Sequence, residues 1–167
     1  MKYFSLISSS LLCLVLAGCY GDRPDIPASK SNESTQSDTS PIATVVELTQ
    51  VGCQFLEVEA KNYQYQPTSA EDCNKINSQT LAARKSEFKP LELKPGKYIF
   101  RVTNENVSYP LGFYLRGSGI QKVTLPKVSG GGLSKGTTKD YEITLKPGEY
   151  VFSCPLNPTP DYPIVVN

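Results

Sequence analysis

A turn-forming phrase that occurs twice constrains this chain more than any other feature. Leu91-Glu92-Leu93-Lys94-Pro95-Gly96-Lys97-Tyr98-Ile99-Phe100 returns as Glu142-Ile143-Thr144-Leu145-Lys146-Pro147-Gly148-Glu149-Tyr150-Val151-Phe152. In each copy proline presets φ at the first central position of a tight turn, and glycine takes positive φ at the next. Apolar residues alternate on both sides, so each copy reads as strand, turn, strand. Two occurrences do not make a solenoid. Further strands are expected at 99–104, 112–116, 122–125, 137–145 and 163–166, with a mobile glycine loop at 129–132. Short strands at this spacing argue a sandwich or a barrel.

Upstream the pattern is weaker. Val45, Val46, Leu48 and Val51 predict an early strand, and Phe55-Leu56-Glu57-Val58-Glu59-Ala60 alternates as a second. Residues 62–88 are polar. Thr68 or Ser69 caps a short helix over 70–76, and a second helical stretch covers 80–85, a helical insertion near 68–86 in an otherwise all-β domain. The acidic pairs Glu57/Glu59 and Glu71/Asp72 are explained by alternation or surface exposure.

What is missing narrows the chemistry. The 167 residues include no histidine and no tryptophan, and the one methionine is Met1. Ser-His-Asp and Cys-His nucleophiles, histidine zinc sites and an imidazole base are therefore excluded. With no phosphate-binding loop or catalytic carboxylate pair either, the chain is not expected to be an enzyme. Basic residues (17) nearly balance acidic ones (16) without a basic stripe, so nucleic acid is not an expected partner.

The N-terminus carries Lys2, an apolar run from Phe4 to Val15, then Leu16-Ala17-Gly18-Cys19-Tyr20. A spanning helix needs about 20 apolar residues, and this run is too short. The Leu-Ala-Gly-Cys box resembles the bacterial lipoprotein signal, in which the cysteine is acylated and the chain is cut before it. That resemblance implies a signal at 1–18, lipid on Cys19, and residence in the bacterial cell envelope, on the outer membrane or the outer face of the inner one. Acyl chains bind a bilayer at roughly 0.8 kcal/mol per buried CH₂, so the membrane is the first expected partner. Residues 19–47, rich in Ser, Thr and Asp, read as a solvated tether spanning on the order of 30 Å, and 48–167 as the folded domain. Cys53, Cys73 and Cys154 then remain in an oxidising compartment. Cys53–Cys73 is the preferred disulfide because the two flank one polar segment, with pairing of either to Cys154 as the alternative.

The segment 88–166 resembles the cupredoxin family, the Greek-key two-sheet β-sandwiches that include plastocyanin. The matching residues are 93–104, Tyr109-Pro110, and 144–154 ending in Phe152-Ser153-Cys154. In copper-binding members two histidines and a cysteine hold the metal, with a weak axial methionine. The resemblance puts those four positions at Leu111, Cys154, Asn157 and Tyr162, so no copper and no other cofactor or metal is expected. Four prolines occupy residues 155–163 and stiffen the loop. Tyr109, Pro110, Leu156, Pro158, Pro160 and Tyr162 are the candidate contacts to a protein partner. The expected function is a lipid-anchored, copper-free binding or assembly module. The alternative is a copper-handling or redox protein built around Cys154.

Overall fold

Both Lys-Pro-Gly phrases form corners that carry the chain from one sheet to the other, and in each the following tyrosine locks the corner. The hydroxyl of Tyr98 donates to the Lys94 carbonyl (2.9 Å) and accepts from the Lys94 N–H (3.2 Å). Tyr150 repeats this on Lys146, at 3.1 Å in each direction. The computed structural model describes residues 42–59 and 61–167, so the signal, Cys19 and most of the tether lie outside the described residues.

Among the described residues, nine strands make two mixed sheets packed as a sandwich: β1 Thr44–Val51, β2 Gln54–Phe55, β3 Leu91–Leu93, β4 Gly96–Asn104, β5 Leu111–Gly117, β6 Val128–Leu133, β7 Thr138–Leu145, β8 Gly148–Ser153 and β9 Tyr162–Val166. One sheet has the order β2-β1-β4-β7 and the other β3-β9-β8-β5-β6. The β1–β4 and β3–β9 pairs are parallel and the rest antiparallel. Strand β7 returns beside β4 and β8 beside β5, the crossing expected of a Greek key. One helix, α1 Ala70–Arg84, is inserted between β2 and β3.

The core is fed by alternation. Tyr98, Phe100, Val102 and Asn104 of β4 are buried while the residues between them are only half-buried or exposed. Phe55 stands edge-on to Phe152 (5.1 Å between centroids) and Tyr162 (5.8 Å), so two aromatic residues of one sheet and one of the other interlock.

Register defines two ends. Thr44, Gly96, Gly117 and Gly148 lie at the corner pole, where Thr44 pairs with Tyr98, Gly117 with Tyr150 and Gly148 with Val166. Gln50, Asn104, Leu111 and Tyr162 lie at the opposite, cysteine pole, where Gln50 Nε2 bridges the sheets to the Gly112 carbonyl (2.8 Å). The side chain of Asn104 ties the loop between β4 and β5 there, accepting from Val107 N–H (2.9 Å) and donating to the Leu133 carbonyl (3.1 Å).

Five expectations are corrected. The alternation at 55–60 does not extend a strand past Phe55; turns follow it, and Val58 and Glu59 are buried by tertiary packing. The two helical stretches are one helix, because residues 77–79 contain neither Gly nor Pro, and Ser78 and Thr80 hydroxyls bond back to the Lys75 and Ile76 carbonyls (2.8 Å each). Residues 122–125 do not form a strand: the Gln121 carbonyl accepts from Thr124 (3.2 Å) and Leu125 (3.0 Å), which curls the chain into a 3₁₀ turn, Gly119–Val123. The glycine run is strand β6 rather than a mobile loop. Gly130 leaves room for the Tyr141 ring, whose Cε1 would lie 2.9 Å from an added Cβ. Finally β1 opens at Thr44, so residues 44–47 belong to the sheet and not to the tether.

Candidate functional site

At the cysteine pole, β5 and β8 bring Leu111 and Cys154 to one level. The backbone N–H of Gly112 donates to Cys154 Sγ at 3.3 Å, and Leu111 and Cys154 are both fully buried. Burial pushes the Cys154 thiol up from its ordinary value, against the opposing pull of the N–H groups of Gly112, Leu156 and Asn157. A thiol that stays protonated and lies out of reach of solvent is a packing residue, not a nucleophile.

After Cys154 the chain turns at once. The Cys154 carbonyl accepts from Asn157 and Thr159 N–H groups, each 3.2 Å, while Cys154 N–H donates to Thr159 Oγ1 at 2.8 Å. This turn points Asn157 inward, where both its amide nitrogen and its amide oxygen are bonded. Nδ2 donates to the Val51 carbonyl (2.9 Å), and Oδ1 accepts from Cys53 N–H (3.1 Å) and Tyr109 hydroxyl (3.2 Å).

The Cys53–Cys73 disulfide is present and buried, and joins the β1–β2 turn to α1. Cys53 holds a left-handed backbone (φ 62°), a strained conformation for a residue with a Cβ, and the bond from its N–H to Asn157 fixes it. Cys73 Sγ lies 3.2 Å from Asn157 Oδ1; since the sulfur carries no proton, this is a close contact and not a hydrogen bond.

Tyr162 is also buried, and its hydroxyl is bonded to groups other than Cys154. Its hydroxyl donates to Glu59 and accepts from Phe55 N–H (3.4 Å). Glu59 is in turn gripped by Arg84 Nη1 at 2.7 and 2.8 Å, and Arg84 Nη2 bonds Asn77 Oδ1. Asn77 Nδ2 reaches the Pro158 carbonyl at 2.6 Å. The chain of contacts therefore runs from β9 through a buried ion pair to α1 and back onto the proline loop. Burial, and then the neighbouring Glu59 charge, raise the Tyr162 pKa far above the ordinary tyrosine range.

As a copper donor set the four positions fail. Leu111 has no donor atom, the oxygens of Asn157 and Tyr162 are engaged elsewhere, and only the Cys154 sulfur is left. Among the described residues no three His, Cys, Asp or Glu side chains cluster to hold another ion.

Searches among known proteins add little to this geometry. No family model matches the chain, and no curated protein sequence matches it. Similar folds occur in solved structures. Auracyanin B is 12% identical, with 75% of this chain and 89% of that one covered and a TM-score of 0.43. Lac15 from a marine microbial metagenome is 16% identical over 90% of this chain, with a TM-score of 0.38. A multi-copper oxidase from Pediococcus acidilactici is 11% identical over 86% of this chain, with a TM-score of 0.36. The chain spans 33% of the length of Lac15 and 29% of the oxidase. These are likenesses of fold at low identity.

The candidate partner contacts divide. Tyr162 and Pro160 are buried and cannot touch a partner, because the first serves the Glu59 network and the second is packed beneath the loop. Pro158 is half-buried under Asn77, and Tyr109 is half-buried with its hydroxyl on Ser69 and Asn157. Pro110, Pro155 and Leu156 remain exposed. Leu156 hangs over Gly112 and Gly131 and, with Tyr114, Val128 and Gly130, lines a mainly apolar groove of about 630 Å³.

Sequence reasoning missed Glu59, Arg84 and Gln50. Glu59 sat in an apparent strand alternation that made it look solvated, and Arg84 sat in a helix polar on every side. Only the fold, which brings together residues 25 positions apart, creates the pair.

Proposed function

We propose that this chain is a copper-free, cupredoxin-type binding or assembly module, held on a bacterial membrane by lipid on Cys19 after export through the lipoprotein signal. It works at the outer membrane or the outer face of the inner membrane and acts by binding a membrane-bound or periplasmic protein, with no chemical turnover. One observation carries the reading. At the pole where the family resemblance puts a metal, Asn157 and Tyr162 are spent on closing the fold, and the surface left over is the groove under Leu156. Gly112 and Gly131 lie under Leu156, whose Cδ1 would be 3.6 and 3.8 Å from a Cβ added at either position.

A photo-crosslinking amino acid in place of Leu156 in living cells is the direct test. The expected result is an adduct of one discrete mass, lost when Gly131→Trp fills the groove. No adduct, or an adduct that survives the filled groove, overturns the reading.

A further inference from the structure

The corner pole has the opposite character from the site. The three most exposed large apolar side chains among the described residues, Ile42 (95%), Ile120 (92%) and Val123 (88%), are all at this end. Side chains three apart in a 3₁₀ turn eclipse one another, so Ile120 and Val123 project together from the turn Gly119–Val123.

That turn is held rigidly. Gln121 N–H bonds the Ser118 carbonyl (2.9 Å), and Gln121 Oε1 accepts from Glu149 N–H (2.9 Å). Gly117 runs so close beneath that a Cβ there would lie 2.3 Å from the Gln121 carbonyl oxygen. The apolar pair is thus a fixed, convex tip rather than a frayed loop. Lys122 stands between its two members, and Lys94, Lys97 and Lys146 are exposed on the neighbouring corners, with Glu92, Glu142 and Glu149 as acids that share this end. Strand β1 starts at Thr44 at the same end, so the polypeptide leading from Cys19 joins the sandwich here and not at the cysteine pole.

We infer that the corner pole is a membrane-facing surface: Ile120 and Val123 enter the interfacial layer of an anionic bilayer while Lys94, Lys97, Lys122 and Lys146 meet its headgroups. A convex apolar tip flanked by lysines is the chemistry of interfacial binding, in which stems lie along the apolar boundary and ammonium groups reach the phosphates. The inference deepens the anchored-module reading and rests on it for bringing a bilayer within reach. It also orients the domain, with the Leu156 groove turned away from the lipid.

The natural chain contains no tryptophan, so Val123→Trp and Leu156→Trp each introduce a single reporter. Full-length protein isolated from cells, and the same chain with Cys19→Ser, are mixed with phosphatidylglycerol–phosphatidylcholine vesicles carrying brominated acyl chains, and mass spectrometry records whether Cys19 bears lipid. Emission at 123 is expected to shift to the blue and fall about twofold or more, while emission at 156 stays unchanged. Adding Ile120→Ser is expected to remove most of the quenching. A reporter at 123 as silent as the one at 156, or quenching at 156 instead, overturns the inference. Lipid on Cys19 with a silent 123 sinks this inference and leaves the anchor standing. Quenching at 123 in the Cys19→Ser chain, with no lipid found on the natural one, does the reverse.

Discussion

The two ends of the sandwich use their side chains in opposite ways. At the cysteine pole polar groups are buried: Gln50, Glu59, Arg84, Asn104 and Asn157 are each less than a tenth exposed, and every one bonds across elements. At the corner pole apolar groups are exposed, on a turn whose backbone is fully pinned. Burying polar atoms is costly unless each finds a partner; apart from Gln50 Oε1 and Arg84 Nε, which find none, these side chains do, and the bonds hold the first pole in one closed shape. Exposing Ile and Val gains the fold nothing, which is consistent with the membrane-facing surface proposed for the second pole. The difference separates a pole whose interior is closed by polar bonds, with the Leu156 groove left at its surface, from a pole whose apolar side chains face outward.

The comparison breaks most easily at the ion pair. Arg84→Met leaves the Glu59 carboxylate buried without its counter-charge, and a loss of about 3–5 kcal/mol in urea unfolding is expected. A loss below about 1 kcal/mol would mean the pole is not held shut by this network. Removing the disulfide with Cys53→Ala and Cys73→Ala is expected to cost about 3 kcal/mol, from the loop of 20 residues it closes. Denaturant midpoints measured without reductant check this directly.

How much of this was legible in the sequence follows physical range. Local chemistry was readable. The Pro-Gly phrases turn the chain where expected, and Ser69 is the N-cap of α1; the bonds from Thr68 and Ser69 N–H groups to Asp72 complete a capping box that the reading of Asp72 as a surface acid passes over. The alternation in β4 and β7 put the right residues inside. What failed was whatever depends on distant partners. Glycine is a poor strand former, yet β6 is a strand because the Tyr141 ring needs the space that Gly130 leaves. Both Pro-Gly phrases read as strand pairs, but nothing local says that the flanking strands join different sheets. The contact between Tyr162 and Glu59 spans 103 residues, and no spacing rule reaches that far. The cupredoxin likeness named Leu111 and Cys154, which the fold brings to one level through the Gly112–Cys154 bond, but gave no sign of the inward turn of Asn157.

Smaller effects sharpen the contrast further. Tyr109→Phe removes a hydroxyl that Asn157 uses and is expected to cost about 1 kcal/mol. Burial, then the nearby Cys154 and Asp72, push the Tyr109 pKa up to about 12. An unfolded tyrosine ionises near 10, so the stabilisation from this group is complete below pH 10 and fades as pH rises toward 12. Stability measured across that window is expected to fall in the natural chain and to fall less in Tyr109→Phe. Some decline persists because Tyr162 is raised as well. At the other pole, Ile120→Ser and Val123→Ser are expected to change stability by no more than about 0.5 kcal/mol, since exposed side chains away from the core hold little of the fold. A loss comparable to that at Arg84 would show that the corner pole is structural after all.

The central claim, a cupredoxin-type sandwich whose metal pole has been given over to holding the fold closed, is tested most directly by copper itself. The chain is incubated with excess Cu(I) and, separately, Cu(II), freed of unbound metal, and examined by metal analysis and visible absorption beside Cys154→Ser. The account predicts substoichiometric copper and identical spectra for the two proteins. One copper per chain, with an absorption band that Cys154→Ser abolishes, would contradict it and favour a copper-handling site built on that thiol.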